Sequence, residues 1–447
     1  MKLARLALLG ALALGAPLAY AVSDAERVAA YQEFRAAFDA HHYQEALPLA
    51  QRLVSLTEEQ YGPSDRALIN PLANLGTTQY RLKAYREAED SYLRSVKIAS
   101  DTGSTADRAL LRPLHGLGAT YDATAQYEEA SATLQRALDL SRNLDGLLNP
   151  GQLPILEPLV DALINLERHG EVDREFQYWV RVADGAFGNS DPRVIRPVDR
   201  YAHWLERMGR YPSARAEYAR ELTLAENAGA PAHTLVLGPL WGIARTYRLE
   251  ALNGTEEGAA PVLDPLMQMG PGIAGPGPTR VFNSGGERAL ALALQTIDRS
   301  QPVDHAQRAR ALLELGDWYL CTGDAARSAA HYRDAWKELE LTGGTALVAA
   351  PRQLAYRAPD SSATRSPLAE RANSEEHAVE VTFTVTRDGH TTAVFTTSAD
   401  ATDAQQKSVL IAVRRARYAP RLENGEPVET SGVKLQERML SKRPRPS

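Results

Sequence analysis

The 447-residue sequence predicts a mainly α protein: an α/α superhelical solenoid of seven helix pairs, followed by a small α+β domain with the order β-β-α-β. Two observations predict this fold. Short motifs recur at intervals of 42 residues over much of the chain, and a period of this size indicates stacked helical hairpins. After residue 378 the apolar period changes to two, which is typical of half-buried strands.

The charge balance narrows the range of functions. Fifty Lys and Arg residues stand against fifty-six Asp and Glu residues, which gives a net charge of −6. Such a chain has no global positive field with which to attract nucleic acid. We therefore expect no nucleic-acid partner.

The N-terminus has the pattern of a secretory signal. Lys2 and Arg5 precede an apolar run, and Ala19-Tyr20-Ala21 gives the small-x-small pattern of a cleavage site. The run is shorter than a membrane span, and no later segment is long and apolar enough to be one. We predict a signal peptide at residues 1–21 and no integral span after its cleavage; an uncleaved anchor is the alternative. The single cysteine, Cys321, forms no intrachain disulfide, which suits the bacterial periplasm.

The repeats occupy residues 22–343. A tyrosine begins the second helix of most pairs, in the motifs Tyr43-Gln44-Glu45-Ala46, Tyr85-Arg86-Glu87-Ala88 and Tyr127-Glu128-Glu129-Ala130. A large residue followed by a small one marks the first helix, as in Leu75-Gly76, Leu117-Gly118 and Leu315-Gly316. The first pair is expected at residues 24–59 and the last at 304–341, with an exposed Gly/Pro-rich loop at 253–287.

Each first helix has its own start signals. Prolines recur at Pro71, Pro113, Pro158, Pro197 and Pro239. Because proline removes a backbone donor, we expect these helices to be kinked or to start late. Asp65, Asp107 and Asp191 each lie six residues before such a proline and are candidate N-caps.

These motifs resemble the tetratricopeptide repeat, in the 42-residue form of kinesin light chains, over residues 24–342. The resemblance implies an interaction scaffold without built-in chemistry, whose concave face binds proteins or peptides.

The sequence after residue 343 predicts a linker and a second domain. Residues 344–377 contain three prolines and are predicted to be a linker with one short strand at 353–357. Residues 378–441 form the domain, in which Val379, Val381, Phe383 and Val385 alternate with polar residues. The sequence then predicts, in order, a turn at 387–390, a strand at 392–397, a cap at 398–400, a helix at 402–417 and a last strand at 428–439. Residues 442–447 are a basic tail.

Three motifs of this domain resemble the C-terminal domain of the TonB energy transducers. They are Val381-x-Phe383-x-Val385 with Asp388-Gly389, the helix end Arg414-Arg415-Ala416-Arg417-Tyr418-Ala419-Pro420, and Asn424-Gly425-Glu426-Pro427-Val428. In that family the last strand accepts an extended segment of an outer-membrane transporter. The chain differs from that family in three respects. Its signal is predicted to be removed, a repeat array stands in place of a Pro-rich spacer, and Ala416 occupies a position where tryptophan is common.

The predicted function is a periplasmic, non-enzymatic scaffold or adaptor that binds other proteins or peptides. The alternative is a TonB-like energy transducer component that contacts outer-membrane transporters. The candidate groove residues are Asn70, Asn74, Arg81, Arg112, His115, Arg168, Arg196, Arg200 and Arg207. The candidate strand edge is Val433, Lys434, Leu435, Gln436, Glu437 and Arg438. A solvated helix face and a plain structural strand remain the alternatives for these two sets.

We predict no catalytic, cofactor or metal site. Gly270-x-Gly272-x-x-Gly275 has the spacing of a dinucleotide fingerprint, but prolines flank it and no strand precedes it. The histidines form no His-Glu-x-x-His motif. Cys321 is expected to be buried and inert.

Overall fold

The computed structural model describes residues 24–228, 233–254, 284–363, 374–396, 398 and 401–442. The chain forms two compact units: Met1–Leu147 with Pro154–Ala162, and Leu148–Leu153 with Leu163–Ser447. The predicted signal peptide, most of the Gly/Pro-rich loop with its glycine motif, and residues 443–447 of the predicted tail lie outside the described residues.

Seven helix pairs occupy the described residues before 343, as predicted. Helices of the first unit are α1 (Asp24–Asp39), α2 (Tyr43–Tyr61), α3 (Ile69–Arg81), α4 (Tyr85–Thr102), α5 (Leu111–Ala123) and α6 (Tyr127–Asp145). Helix α7 (Leu153–Asn165) contributes residues to both units. The second unit has α8 (His169–Phe187), α9 (Ile195–Arg207), α10 (Tyr211–Asn227), α11 (His233–Asn253), α12 (Gly285–Asp298), α13 (His305–Thr322) and α14 (Ala325–Thr342). None of the described helices combines the length and the apolar character needed to cross a membrane.

Helices α3, α5 and α9 start late, as their prolines predict, whereas Pro158 and Pro239 lie inside α7 and α11. The carboxylate of Asp65 accepts a hydrogen bond from the Ala67 N–H at 2.8 Å and caps a short 3-10 turn. Helix α3 then begins at Ile69, so Pro71 lies in its first turn, where its missing N–H would have no intrahelical partner. Asp107 and Asp191 cap equivalent turns.

The small residue of each large-small pair allows a close approach between helices. A Cβ atom on Gly118 would lie 2.4 Å from the Leu134 side chain, and one on Gly316 would lie 2.5 Å from the Tyr332 ring. These distances leave no room for a methyl group, so the sequence pattern reflects packing.

The C-terminal domain contains three small sheets and one helix. Its strands are β1 (Arg352–Ala355), β2 (Ser374–Val385), β3 (Thr391–Thr396), β4 (Arg417–Ala419), β5 (Arg421–Glu423), β6 (Glu426–Val428) and β7 (Thr430–Lys442). Strands β3, β2 and β7 form an antiparallel sheet in that order, while β1 pairs with β4 and β5 with β6. Helix α15 (Asp403–Arg415) packs on β2 and β3.

The alternation of residues 379–385 predicts the core correctly. Val379, Val381 and Val385 are fully buried, Phe383 is 1% exposed, and Val409 and Val413 of α15 pack in the same cluster.

Three local predictions in this domain were wrong. The last strand begins at Thr430 rather than at residue 428, because Val428 belongs to β6 and pairs with Arg421 of β5. The N-cap of α15 is Thr402 rather than a residue of 398–400, because Thr402 and Gln405 form a reciprocal capping box. The helix ends at Arg415 rather than at residue 417, because Arg417 begins β4 and pairs with Ala355 of β1.

The C-terminal domain is packed against the seventh helix pair within the second unit. Leu422 of β5 lies in a core cluster with Leu312 and Tyr332 of that pair. Arg352 of β1 donates to the Asp317 carboxylate at 3.0 Å. Residues 352–355 and 374–377 of the predicted linker are therefore in strands, and β1 holds the domain against the repeats.

Candidate partner-binding sites

Strand β7 lies at one end of the three-stranded sheet. It pairs with β2 in a regular antiparallel register, in which Val381 faces Leu435, Val379 faces Glu437 and His377 faces Met439. The predicted edge, residues 433–438, therefore lies on a strand whose inner side is paired with β2.

The outer side of β7 is partly occupied by the chain itself. Ser362 forms an antiparallel bridge with Met439. The Ala363 N–H donates to the Arg438 carbonyl at 2.7 Å, and the Leu440 N–H donates to the Ser361 carbonyl at 2.9 Å. We call residues 361–363 the clasp.

The clasp also shows which backbone groups of β7 point outward. Because N–H and C=O groups of an antiparallel strand alternate between its two sides, Lys434 and Gln436 face outward like Arg438 and Leu440. Among the described residues, no backbone group bonds to the outer side of Lys434 or Gln436. This stretch is the open part of the edge, whereas the Arg438 carbonyl is already bonded.

The side chains of β7 divide between two faces. Val433 and Leu435 pack against the domain core and Glu437 is only 4% exposed, whereas Lys434, Gln436 and Arg438 are exposed. The ammonium group of Lys434 lies 2.9 Å from the Glu380 carboxylate across the sheet.

Glu437 is a buried carboxylate held by hydroxyl donors. The Tyr356 hydroxyl donates to its Oε2 atom at 2.7 Å, and the hydroxyl of the fully buried Ser362 donates to its Oε1 atom. Burial raises the pKa of Tyr356, and the hydrogen bond to Glu437 raises that pKa further, so both donors keep their protons at neutral pH.

In the first unit, the predicted groove residues are partly used by the fold. Asn74 is 8% exposed and accepts a hydrogen bond from the Arg112 guanidinium at 2.8 Å. Burial lowers the pKa of His115, which hydrogen-bonds to the backbone of Pro154. Asn70 and Arg81 are exposed. Because Asn74 and His115 already bond within the fold, this unit offers a partner fewer polar groups than the sequence suggests.

In the second unit, two predicted arginines lie near tryptophan rings. The Arg200 guanidinium is 5.9 Å from the Trp179 ring centre, and that of Arg207 is 5.1 Å from the Trp204 ring centre. Arg196 is exposed on α9, and Arg168 is the residue that precedes α8. These contacts restrain the two guanidinium groups.

The sequence reasoning missed three ion pairs that involve first helices of the second unit. Arg245 of α11 lies 2.7 Å from Glu206 of α9, and Arg248 of α11 lies 2.8 Å from Glu314 of α13. A third pair joins Asp317 to Arg352. The partners of these pairs lie 35 to 66 residues apart in the chain, and no local motif links them.

The described residues contain no group of three His, Cys, Asp or Glu side chains that could hold a metal ion. Cys321 is buried as predicted, and burial raises its pKa to about 11, so the thiol stays protonated at neutral pH.

Two families match parts of the chain. The tetratricopeptide repeat family matches residues 35–101, and the family of the Gram-negative bacterial TonB protein C-terminal domain matches residues 366–436. The chain combines tetratricopeptide repeats with a TonB-like C-terminal domain.

Several solved structures are similar to the chain. A putative kinesin light chain of Podosopora anserina with nearly identical TPR-like repeats is 15% identical, covering 46% of this chain and 97% of that one, with a TM-score of 0.42. The apo form of RapI is 11% identical, covering 71% and 99%, with a TM-score of 0.42. Aspartyl phosphate phosphatase F from Bacillus subtilis is 11% identical, covering 71% and 73%, with a TM-score of 0.39. No curated protein matches the chain.

Proposed function

We propose that this protein is a non-enzymatic adaptor of the bacterial periplasm. It binds one protein partner on the first-helix face of its repeats and a second partner at the outer edge of β7. The matches to a repeat family and to a Gram-negative envelope domain support protein partners and an envelope location. The signal-like pattern around Lys2, Arg5 and Ala19-Tyr20-Ala21 supports export.

The observation that carries the proposal is the outer edge of β7. Lys434 and Gln436 present backbone donors and acceptors there, and the antiparallel bonding of the clasp to the same strand supports the addition of a segment. Strand addition gains affinity from main-chain hydrogen bonds and specificity from alternate side chains. An extended segment of a partner protein can therefore extend the sheet along residues 433–437.

Helix α9 of the second unit supports the other half of the proposal. Arg196 and Arg207 are exposed on this helix, and a guanidinium binds a carboxylate through two parallel hydrogen bonds. An acidic peptide or a chain terminus is the partner that such a surface suits.

A proline substitution in β7 tests the edge, provided that it replaces a residue whose backbone N–H points away from β2. Proline at Leu435 would break the ladder with β2, because the backbone of that residue faces inward. Gln436→Pro instead removes an outward N–H and leaves the β2 pairing intact, as edge strands tolerate. Gln436→Ala keeps the N–H and is the matched control.

The measurement is photo-crosslinking in periplasm-containing cells, with a crosslinking amino acid in place of the exposed Lys434. We expect specific protein adducts with Gln436→Ala and their loss with Gln436→Pro, at equal protein level and equal melting temperature. Identical adducts in both variants would show that partners do not add to this edge.

A further inference from the structure

The clasp shows what kind of segment fits the outer edge of β7. It contributes two backbone hydrogen bonds, one on each side of the bridge between Ser362 and Met439. It also places the hydroxyl of Ser362 on the buried carboxylate of Glu437. Backbone pairing alone would accept almost any sequence, so Glu437 is the group able to discriminate between segments.

We propose that Glu437 selects an extended partner segment that carries a serine or threonine hydroxyl opposite Met439, and that the clasp occupies this position until such a segment replaces it. This inference rests on the proposed addition of a partner strand to β7, and it adds a specificity-determining residue and a competing internal segment.

The chemistry of Glu437 sets the requirement for a hydroxyl. Its carboxylate is 4% exposed and receives one donor from Tyr356 and one from Ser362. When the clasp leaves, Oε1 loses its described donor. A partner segment without a donor would leave a buried carboxylate oxygen unpaired, which is strongly unfavourable.

The space beside Glu437 favours a small donor. Ser362 is fully buried. A lysine or arginine at this position would have to place a long charged side chain where a serine now fits. An acidic residue would bring a second carboxylate against the first. Serine and threonine supply the hydroxyl in the smallest volume.

Within the described part of the chain the clasp covers only the end of the edge, so a longer segment can replace it. It bonds to Arg438 and Leu440, whereas the outward groups of Lys434 and Gln436 have no backbone partner among the described residues. A longer segment can form the bonds of the clasp and the further bonds along residues 434–436. Added ladder bonds give the partner its advantage over the clasp.

The test opens the clasp in the full-length protein and then supplies the segment as a peptide. Ala363→Pro removes the N–H that donates to Arg438, and Ala363→Ser keeps it as the matched control. The probe is a fluorescein-labelled peptide with the sequence of residues 357–365, and a second peptide carries alanine in place of Ser362. Fluorescence anisotropy measures binding, and hydrogen–deuterium exchange of residues 438–442 reports whether the edge is open.

We expect faster exchange of these amides in Ala363→Pro than in Ala363→Ser. We expect the serine peptide to bind Ala363→Pro at least tenfold more tightly than the control protein, and at least tenfold more tightly than the alanine peptide binds. Glu437→Gln in the opened protein should shrink the difference between the two peptides. Ser362→Ala in the protein keeps every backbone bond, so it should bind the serine peptide with an affinity between those of Ala363→Ser and Ala363→Pro. This variant provides the test if Ala363→Pro fails to fold.

The outcomes separate this inference from the proposed function. Equal binding of the serine and alanine peptides to an opened edge would overturn selection by Glu437 while leaving strand addition intact. Absence of binding by either peptide, with exchange showing an open edge, would instead contradict strand addition itself. Unchanged exchange and unchanged binding in all variants would overturn the role of the clasp.

Discussion

Glu221 of α10 is a carboxylic acid whose surroundings disfavour its charge. Its side chain is 5% exposed, and its Oε2 atom has no hydrogen-bond partner in the described part of the chain. Burial, with a smaller contribution from Asp199, raises the pKa of Glu221 to about 8, against the smaller opposing effect of His203. The folded protein therefore holds a proton on this residue at neutral pH.

Glu221→Gln should stabilise the protein increasingly as the pH rises. Below pH 4.5 the folded and unfolded states both hold the proton, and the variant should gain little. Between pH 4.5 and 8 only the unfolded state releases this proton, so the wild type loses stability through this window, by on the order of 5 kcal/mol.

Urea unfolding at pH 5, 7 and 9 measures this difference. The exposed Glu226→Gln on the same helix is the control and should show no such trend. A gain for Glu221→Gln that stays constant with pH would contradict the assignment.

At the scale of the element, helices α3, α5, α7 and α9 each follow a capped 3-10 turn. The Asp65 carboxylate satisfies the Ala67 N–H before α3 begins. Asp65→Ala should lower the free energy of unfolding of the first unit by about 1 kcal/mol. Asp65→Asn should retain most of the stabilisation that the cap provides, because an amide oxygen also accepts the hydrogen bond. Thermal unfolding followed by circular dichroism measures the loss. The exposed Asp90→Ala in α4 is the control, and an equal loss there would argue against a capping role.

The sequence predicts elements well where the signal is local. The repeat motifs locate seven helix pairs, and alternation at residues 379–385 identifies the buried face of β2. The cap of α15 was misplaced because 398–400 and Thr402 both look like caps, and only the capping box with Gln405 distinguishes them. Local pattern fixes an element's type more firmly than its ends.

Pairing between distant segments could not be predicted in the same way. The last strand was proposed as an edge because the domain resembles the TonB C-terminal domain, but the clasp lies 75 residues before its partner Glu437. Nothing in the local sequence of Ser361-Ser362-Ala363 indicates that it adds to β7. The inter-helix ion pair of Arg245 with Glu206 spans 39 residues and was missed for the same reason.

At the largest scale, within the second unit, the C-terminal domain and the seventh helix pair share a buried ionic contact. Asp317 is fully buried and accepts hydrogen bonds from Tyr332 at 2.7 Å and from Arg352 at 3.0 Å. Burial raises the pKa of Asp317, and the positive charge of Arg352 opposes that rise. This carboxylate therefore takes most of its countercharge from β1, with a smaller contribution from Arg248 of α11.

Arg352→Met should leave Asp317 buried without its main countercharge and cost about 3–5 kcal/mol at neutral pH. The loss should shrink as the pH falls, because the pKa of Asp317 rises further in the variant and a protonated carboxyl needs no cation. The control is Arg333→Met, which removes an ion pair with Glu426 across the same contact, at 3.0 Å. Both side chains of this pair are about half exposed, so the pair contributes at most about 1 kcal/mol. Urea unfolding at pH 5 and pH 8, followed by tryptophan fluorescence, measures both variants. Equal losses for the two, or a loss for Arg352→Met that does not change with pH, would mean that Asp317 does not anchor the domain through its charge.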